Sequence, residues 1–133
     1  MGVKGFFRFR LILSALTGVF FLTSNATGAD MTESDKNWDK VFAKSDMVDV
    51  SKVSFKNRYG IELTGDLYLP KGKASEKLAA IAVSGPFGAV KEQASGLYAQ
   101  TMAERGFAAL AFDPSYTGES GGEPRLVASP DIN

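Results

Sequence analysis

Residues 78–83 read LAAIAV and residues 107–112 read FAALAF, two short runs that are apolar at every position. A strand with one face in water alternates between apolar and polar residues. One that is apolar at both parities is covered on both faces, as in a parallel sheet flanked by helices. Between the runs lies Ser84-Gly85-Pro86-Phe87-Gly88, a loop punctuated by glycine and proline. It is followed by Lys91 to Arg105 (KEQASGLYAQTMAER), where Ala94, Leu97, Tyr98, Thr101 and Met102 share one helical face. Lys91, Glu92, Gln100 and Glu104 fall mostly on the opposite, solvated face. Gly106 stands where a helix closes at its C′ position. Strand, loop, helix and strand in this order form a βαβ unit with parallel strands, which sets the fold class as α/β.

Upstream, the period becomes two. Val53 and Phe55 alternate with Ser54 and Lys56, and Ile61, Leu63, Gly65, Leu67 and Leu69 alternate with Glu62, Thr64, Asp66 and Tyr68. This predicts two antiparallel strands with one wet face, joined by a hairpin turn at Asn57-Arg58-Tyr59-Gly60 and ended by Pro70-Lys71-Gly72. Residues 30–47 are polar and of mixed charge. Only Trp38, Val41 and Phe42 fall at helical spacing there, so the segment reads as a lead-in arm with at most a short helix.

The first 29 residues have the three parts of a secretory signal. Lys4, Arg8 and Arg10 form a basic region, residues 11–22 (LILSALTGVFFL) an apolar one, and Ala26-Thr27-Gly28-Ala29 a small-residue exit. Cleavage after Gly28 or Ala29 and export to the periplasm or medium are expected. A stable membrane anchor is not expected, because a spanning helix needs about 20 apolar residues. The remaining 104 residues, 48–133 beyond the arm, suit one modest domain. Removing residues 1–29 takes three of the 15 basic side chains and none of the 15 acidic ones, leaving a net charge of −3. That balance gives no basic patch for nucleic acid. With no cysteine in the chain, disulfides cannot form and the core alone must hold the fold.

Gly118-Glu119-Ser120-Gly121-Gly122 spells G-x-S-x-G, the pattern of a nucleophilic serine on a strand-to-helix turn. Such a serine needs a base to take its proton. The chain has no histidine, and no lysine lies beyond Lys91. Ser120 is also eight residues past Phe112 and is followed by Gly121, Gly122 and Pro124, where a helix can hardly start. It therefore reads as a loop serine. Asp113, at a strand end before Pro114, reads as a turn or cap residue. Gly85-Pro86-Phe87-Gly88 lacks the spacing and lysine of a phosphate-binding loop. No cofactor or metal is implied.

Taken together, the hairpin, the buried strand, the glycine-rich turn, the helix, the second buried strand and the Asp113 to Ser120 loop resemble the first half of an α/β-hydrolase. GPFGAVKEQ (85–93) and AERGFAALAFDPSYTGESGGEPR (103–125) are similar to secreted hydrolases of the dienelactone-hydrolase and prolyl-peptidase-like esterase group. The resemblance covers residues 48–133. It implies a loop of the form D-x-R-G-x-G-x-S at 113–120, a serine nucleophile on a later turn and a small ester-like substrate. It also implies that the chain is truncated before its catalytic triad, with no catalytic residue of its own.

In this fold the loop after the third strand supplies an oxyanion-hole N–H. Pro86 has none, so Phe87 or Gly88 is the candidate donor, while Gly85 and Gly88 serve equally well simply to close a tight turn. Three readings follow. The first is an exported hydrolase-family chain, inactive alone, with an unpaired strand edge open to self-association. The second is an exported binding module built on a hydrolase half-fold, and the third a Ser120 hydrolase with an unusual base.

Overall fold

The computed structural model describes residues 37–132, so the expected signal peptide and the start of the arm lie outside the described residues. The elements are β1 (Val48–Lys56), β2 (Glu62–Pro70), β3 (Ala80–Ser84), α1 (Ala94–Glu104) and β4 (Ala108–Phe112). They build one mixed four-stranded sheet in the order β1-β2-β4-β3. β1 and β2 pair antiparallel from Val48↔Pro70 to Lys56↔Glu62, and β2 pairs antiparallel with β4. β3 and β4 run parallel, from Ala80↔Ala108 to Ser84↔Phe112. This is the expected α/β class: an antiparallel hairpin followed by a parallel βαβ unit.

The hairpin turn closes as its residues dictate. Asn57 Oδ1 accepts the N–H groups of Tyr59 and Ile61 at 2.9 and 3.0 Å, an Asx turn. Gly60 supplies a φ of +79°. Gly106 ends α1 at C′ with a φ of +97°, its N–H donating to Ala103 O at 2.9 Å and that of Phe107 to Met102 O at 3.2 Å.

Three expectations change. The helix starts at Ala94 rather than Lys91, and its buried residues are Ser95, Gly96, Ala99, Gln100 and Ala103. Leu97 and Tyr98, expected on the covered face, are exposed. Small side chains win the sheet contact because they let the helix backbone come close. A Cβ on Gly96 would stand 2.9 Å from the Tyr68 hydroxyl, 3.0 Å from Phe42 Cζ, and against the Lys91 carbonyl oxygen.

The expected wet face of β2 is also the one the helix covers. Tyr68 is fully buried in a core of Val48, Ala99, Ala103, Ala109 and Ala111, with Phe42, Val50, Val83 and Met102 packed around it. Asp66 on the same face is buried beside Lys40, with Nζ 2.9 Å from Oδ2. The opposite face carries Leu63, Leu67 and Leu69, paired across the sheet with Phe55, Leu110 and Asp49. No helix of the described residues packs there. Among the described residues β3 is an edge strand, as the expected unpaired edge requires, with Ala80 and Ala82 exposed.

The described part of the arm, residues 37–47, forms no helix. Phe42 inserts into the core edge-on to Trp38, and Gln100 clamps the arm by donating to Ala43 O at 3.0 Å and accepting from Ser45 N at 3.2 Å. Gly96→Leu therefore drives a side chain into Tyr68 and Phe42 and is expected to destabilise by about 1–3 kcal/mol. Thermal or urea unfolding measures this. The exposed Leu97→Ala should change stability far less, and equal losses would contradict the assigned helix face.

Candidate functional site

The ends of the parallel strands carry the two loops that matter. The loop after β3 turns at Pro86, where Ala89 N donates to Pro86 O at 3.0 Å and Gly88 adopts a φ of +79°. Phe87 is exposed, and neither its N–H nor that of Gly88 donates to an acceptor among the described residues. Both residues line a cleft of about 270 Å³ with Ser84 and Gly85 on one side, Pro114 and Thr117 on another, and the 128–130 segment on the third. No ionisable side chain lines this cleft.

The loop after β4 is organised by Asp113, whose side chain is completely buried. Asp113 Oδ1 accepts the Lys91 N–H at 2.8 Å, and Oδ2 accepts the Glu119 N–H and the Lys91 ammonium, each at 3.0 Å. Lys91 was expected on a solvated helix face. It instead lies in the turn before α1, its side chain fully buried, and also reaches Glu92 at 2.5 Å and Glu119 at 2.7 Å. Glu92, likewise expected in solvent, is mostly covered by this contact. Helical periodicity extended three residues too far upstream placed both residues wrongly. The absence of a capping side chain at Gln93 is the sequence feature that left the start unmarked.

Burial alone pushes the Lys91 pKa down, but the carboxylates of Glu119, Glu92 and Asp113 outweigh it and the net displacement is upward. The amine stays protonated, and its three protons meet three carboxylates. It is not a base for Ser120.

Ser120 is buried and structural. Its Oγ donates to Asp113 O at 2.7 Å and accepts the Thr64 N–H at 2.9 Å, which fastens the loop to β2. Gly121 N reinforces the link by donating to Glu62 O at 2.7 Å. Gly118, at a φ of +54°, packs directly on the Asp113 carboxylate, where any Cβ would collide. Arg125 caps the loop by donating to the carbonyl oxygens of Ser120, Gly118 and Gly122. The G-x-S-x-G match is thus a loop stitched to the sheet. Asp113 keeps the turn-organising role expected of it, though in a buried setting. Among the described residues, no group of three or more His, Cys, Asp or Glu is placed to hold a metal ion.

No family profile matches the chain. It is 64% identical over 112 residues to the uncharacterized protein PA2218 of Pseudomonas aeruginosa, covering 84% of this chain and 30% of that one. The crystal structure of PA2218 matches with a TM-score of 0.70 at 69% identity, over 74% of this chain and 30% of that one. The uncharacterized protein YcjY of Escherichia coli is 47% identical over 85 residues, 62% of this chain and 28% of its own length. The structure of DcsB in complex with its substrate analogue matches over 58% of this chain and 25% of that chain, at 31% identity and a TM-score of 0.51. The α/β hydrolase GrgF from Penicillium sp. sh18 is similar at 33% identity over 58% of this chain and 25% of that chain, with a TM-score of 0.49. The chain spans about 30% of the length of the curated relatives it matches.

Glu119 bonds both Lys52, with Nζ 2.7 Å away, and Lys91, and these hold its carboxyl down at about 2, below its ordinary 4.5. A depressed carboxylate stabilises the fold fully above its unfolded pKa and loses that contribution as pH falls through the folded one. The window is therefore from about pH 4.5 down to about 2. The side chain is half exposed, so solvent screening keeps the effect small. Stability measured across this window should fall less steeply in Glu119→Gln than in the unsubstituted chain. Parallel curves would contradict the assigned ion pairs.

Proposed function

We propose that these residues form the sheet and the oxyanion-donating loop of an exported serine hydrolase of the α/β-hydrolase type, related to dienelactone hydrolases and prolyl-peptidase-like esterases. Its substrates are small esters, lactones or similar acyl compounds, and the nucleophile is supplied from residues beyond these 133. One observation carries the reading. The N–H groups of Phe87 and Gly88, in the loop that follows β3, meet no acceptor among the described residues, and both residues line an uncharged cleft beside a sheet of hydrolase order. A backbone donor of that kind, joined by a second from the turn that carries the nucleophile, stabilises the charge that develops on a carbonyl oxygen during acyl transfer. The uncharged lining suits a neutral acyl group.

The reading has a direct test. The coding sequence beyond Asn133 should contain a G-x-S-x-G after a strand pattern, followed by an aspartate and a histidine. The longer product should hydrolyse short-chain nitrophenyl esters and label with a fluorophosphonate. A longer product without a nucleophile, or one inert to both reagents, contradicts the proposal. N-terminal sequencing of exported protein should find cleavage after Gly28 or Ala29, and retention of Met1 in the membrane fraction would oppose export.

The 133-residue chain alone should show no labelling above that of Ser120→Ala, since Ser120 has no base and its proton is committed to Asp113 O. Ser120→Ala should instead cost about 1–3 kcal/mol, because Thr64 N–H loses its acceptor. Labelling that vanishes in the mutant would make Ser120 the nucleophile.

The free edge of β3 supports a second expectation, that the isolated chain self-associates through strand pairing. Light scattering after size exclusion reads the outcome. A monodisperse monomer opposes this expectation and favours the alternative of a small binding module.

A further inference from the structure

We propose that Lys91 is a positioning residue, setting the Phe87 and Gly88 N–H groups and tying the two walls of the cleft together; this rests on the reading of those groups as oxyanion donors. The loop they occupy, residues 85–90, is anchored at both ends to consecutive residues of one strand end. At its start Ser84 pairs with Phe112, and at its finish Lys91 N donates to Asp113 Oδ1 at 2.8 Å. The donors thus stand on a short bridge whose two feet are adjacent, and the height of the bridge follows from where Lys91 sits.

Any residue at 91 would offer the backbone bond. The side chain adds a buried cation that holds the acceptor in place. Its ammonium lies 3.0 Å from Asp113 Oδ2 and 2.7 Å from Glu119 Oε2, and Asp113 Oδ2 in turn accepts the Glu119 N–H. Asp113 and Glu119 bracket the segment that contributes Pro114 and Thr117 to the opposite wall of the cleft. One amine therefore fixes both walls. Its three protons are all engaged with carboxylates and its side chain is fully buried, so it neither meets substrate nor exchanges a proton with it.

The test uses the full 133-residue chain, ¹⁵N-labelled, with methylphosphonate as a stable oxyanion. In the unsubstituted chain, methylphosphonate should shift the Phe87 and Gly88 amide resonances. Lys91→Met should move those two resonances before any ligand is added and weaken methylphosphonate binding there by about tenfold or more, while the amides of Val48 and Lys71, at the far end of the hairpin from this loop, stay in place. Glu119→Gln, which leaves the Lys91–Asp113 pair intact, should give the same changes in weaker form. It decides the matter if Lys91→Met does not fold. Phe87 and Gly88 resonances unmoved in a folded Lys91→Met, or in Glu119→Gln where Lys91→Met fails, overturn the proposal alone. Methylphosphonate without effect on the unsubstituted chain overturns the oxyanion reading and the proposal with it.

Discussion

A lysine side chain with no solvent exposure is the constraint around which the loop end of this sheet is built. Removing an ammonium from water costs several kcal/mol, and the cost is recovered only when close carboxylates use every proton. At Lys91 they do, with Glu92, Glu119 and Asp113 at 2.5, 2.7 and 3.0 Å. Such an arrangement tolerates little drift, because losing one partner leaves the other charge buried and uncompensated, a penalty of about 3–5 kcal/mol. The loops after β3 and β4 are held to each other by that penalty more than by apolar packing, since neither contributes to the main core.

The core lies elsewhere and obeys a different rule. Tyr68 is the largest side chain in it, and the helix above it presents Gly96, Ala99 and Ala103. A large residue on the sheet facing small ones on the helix keeps the layers close, which is how an 11-residue helix can seal one side of a four-stranded sheet. The same closeness carries the N-terminal end of α1 down to the strand ends, where Lys91 meets Asp113. Burial of the phenol, reinforced by the negative charge of Asp66, pushes the Tyr68 pKa upward, so the core keeps it neutral.

Much of this was legible in the sequence and some was not, for reasons that differ by residue. Hydrophobic parity located β2, β3 and β4 to within two residues at each end and the last part of β1, because apolar residues at both parities or at one are local facts about the chain. Asn57, Gly60 and Gly106 announced their turns because each has a conformational property that its neighbours lack. The face of α1 was read wrongly because periodicity finds apolar residues, whereas the contact selected small ones: Leu97 and Tyr98 outscore Gly96 and Ala99 in hydrophobicity and lose to them in volume. Tyr68 and Asp66 were placed in water by an alternation that holds for β2, but both faces of that strand carry apolar weight.

The site was the least legible part, and Ser120 shows why. Its surrounding pattern is that of a nucleophile, and pattern alone cannot tell a hydroxyl aimed into a cleft from one that is bonded on both sides within the fold. Composition could, because a chain with no histidine offers no ordinary partner for that proton. Lys91 offered no comparable clue. Its role arises from Asp113, which lies 22 residues away, and from Glu119, 28 away. Their meeting depends on β3 and β4 being parallel neighbours. Only once the strand order is fixed does a lysine three residues ahead of a poorly capped helix become the point to which both cleft walls are referred. The motif that looked catalytic is consumed by structure, and the charge that looked like solvent-facing surface ties the loops after β3 and β4 together.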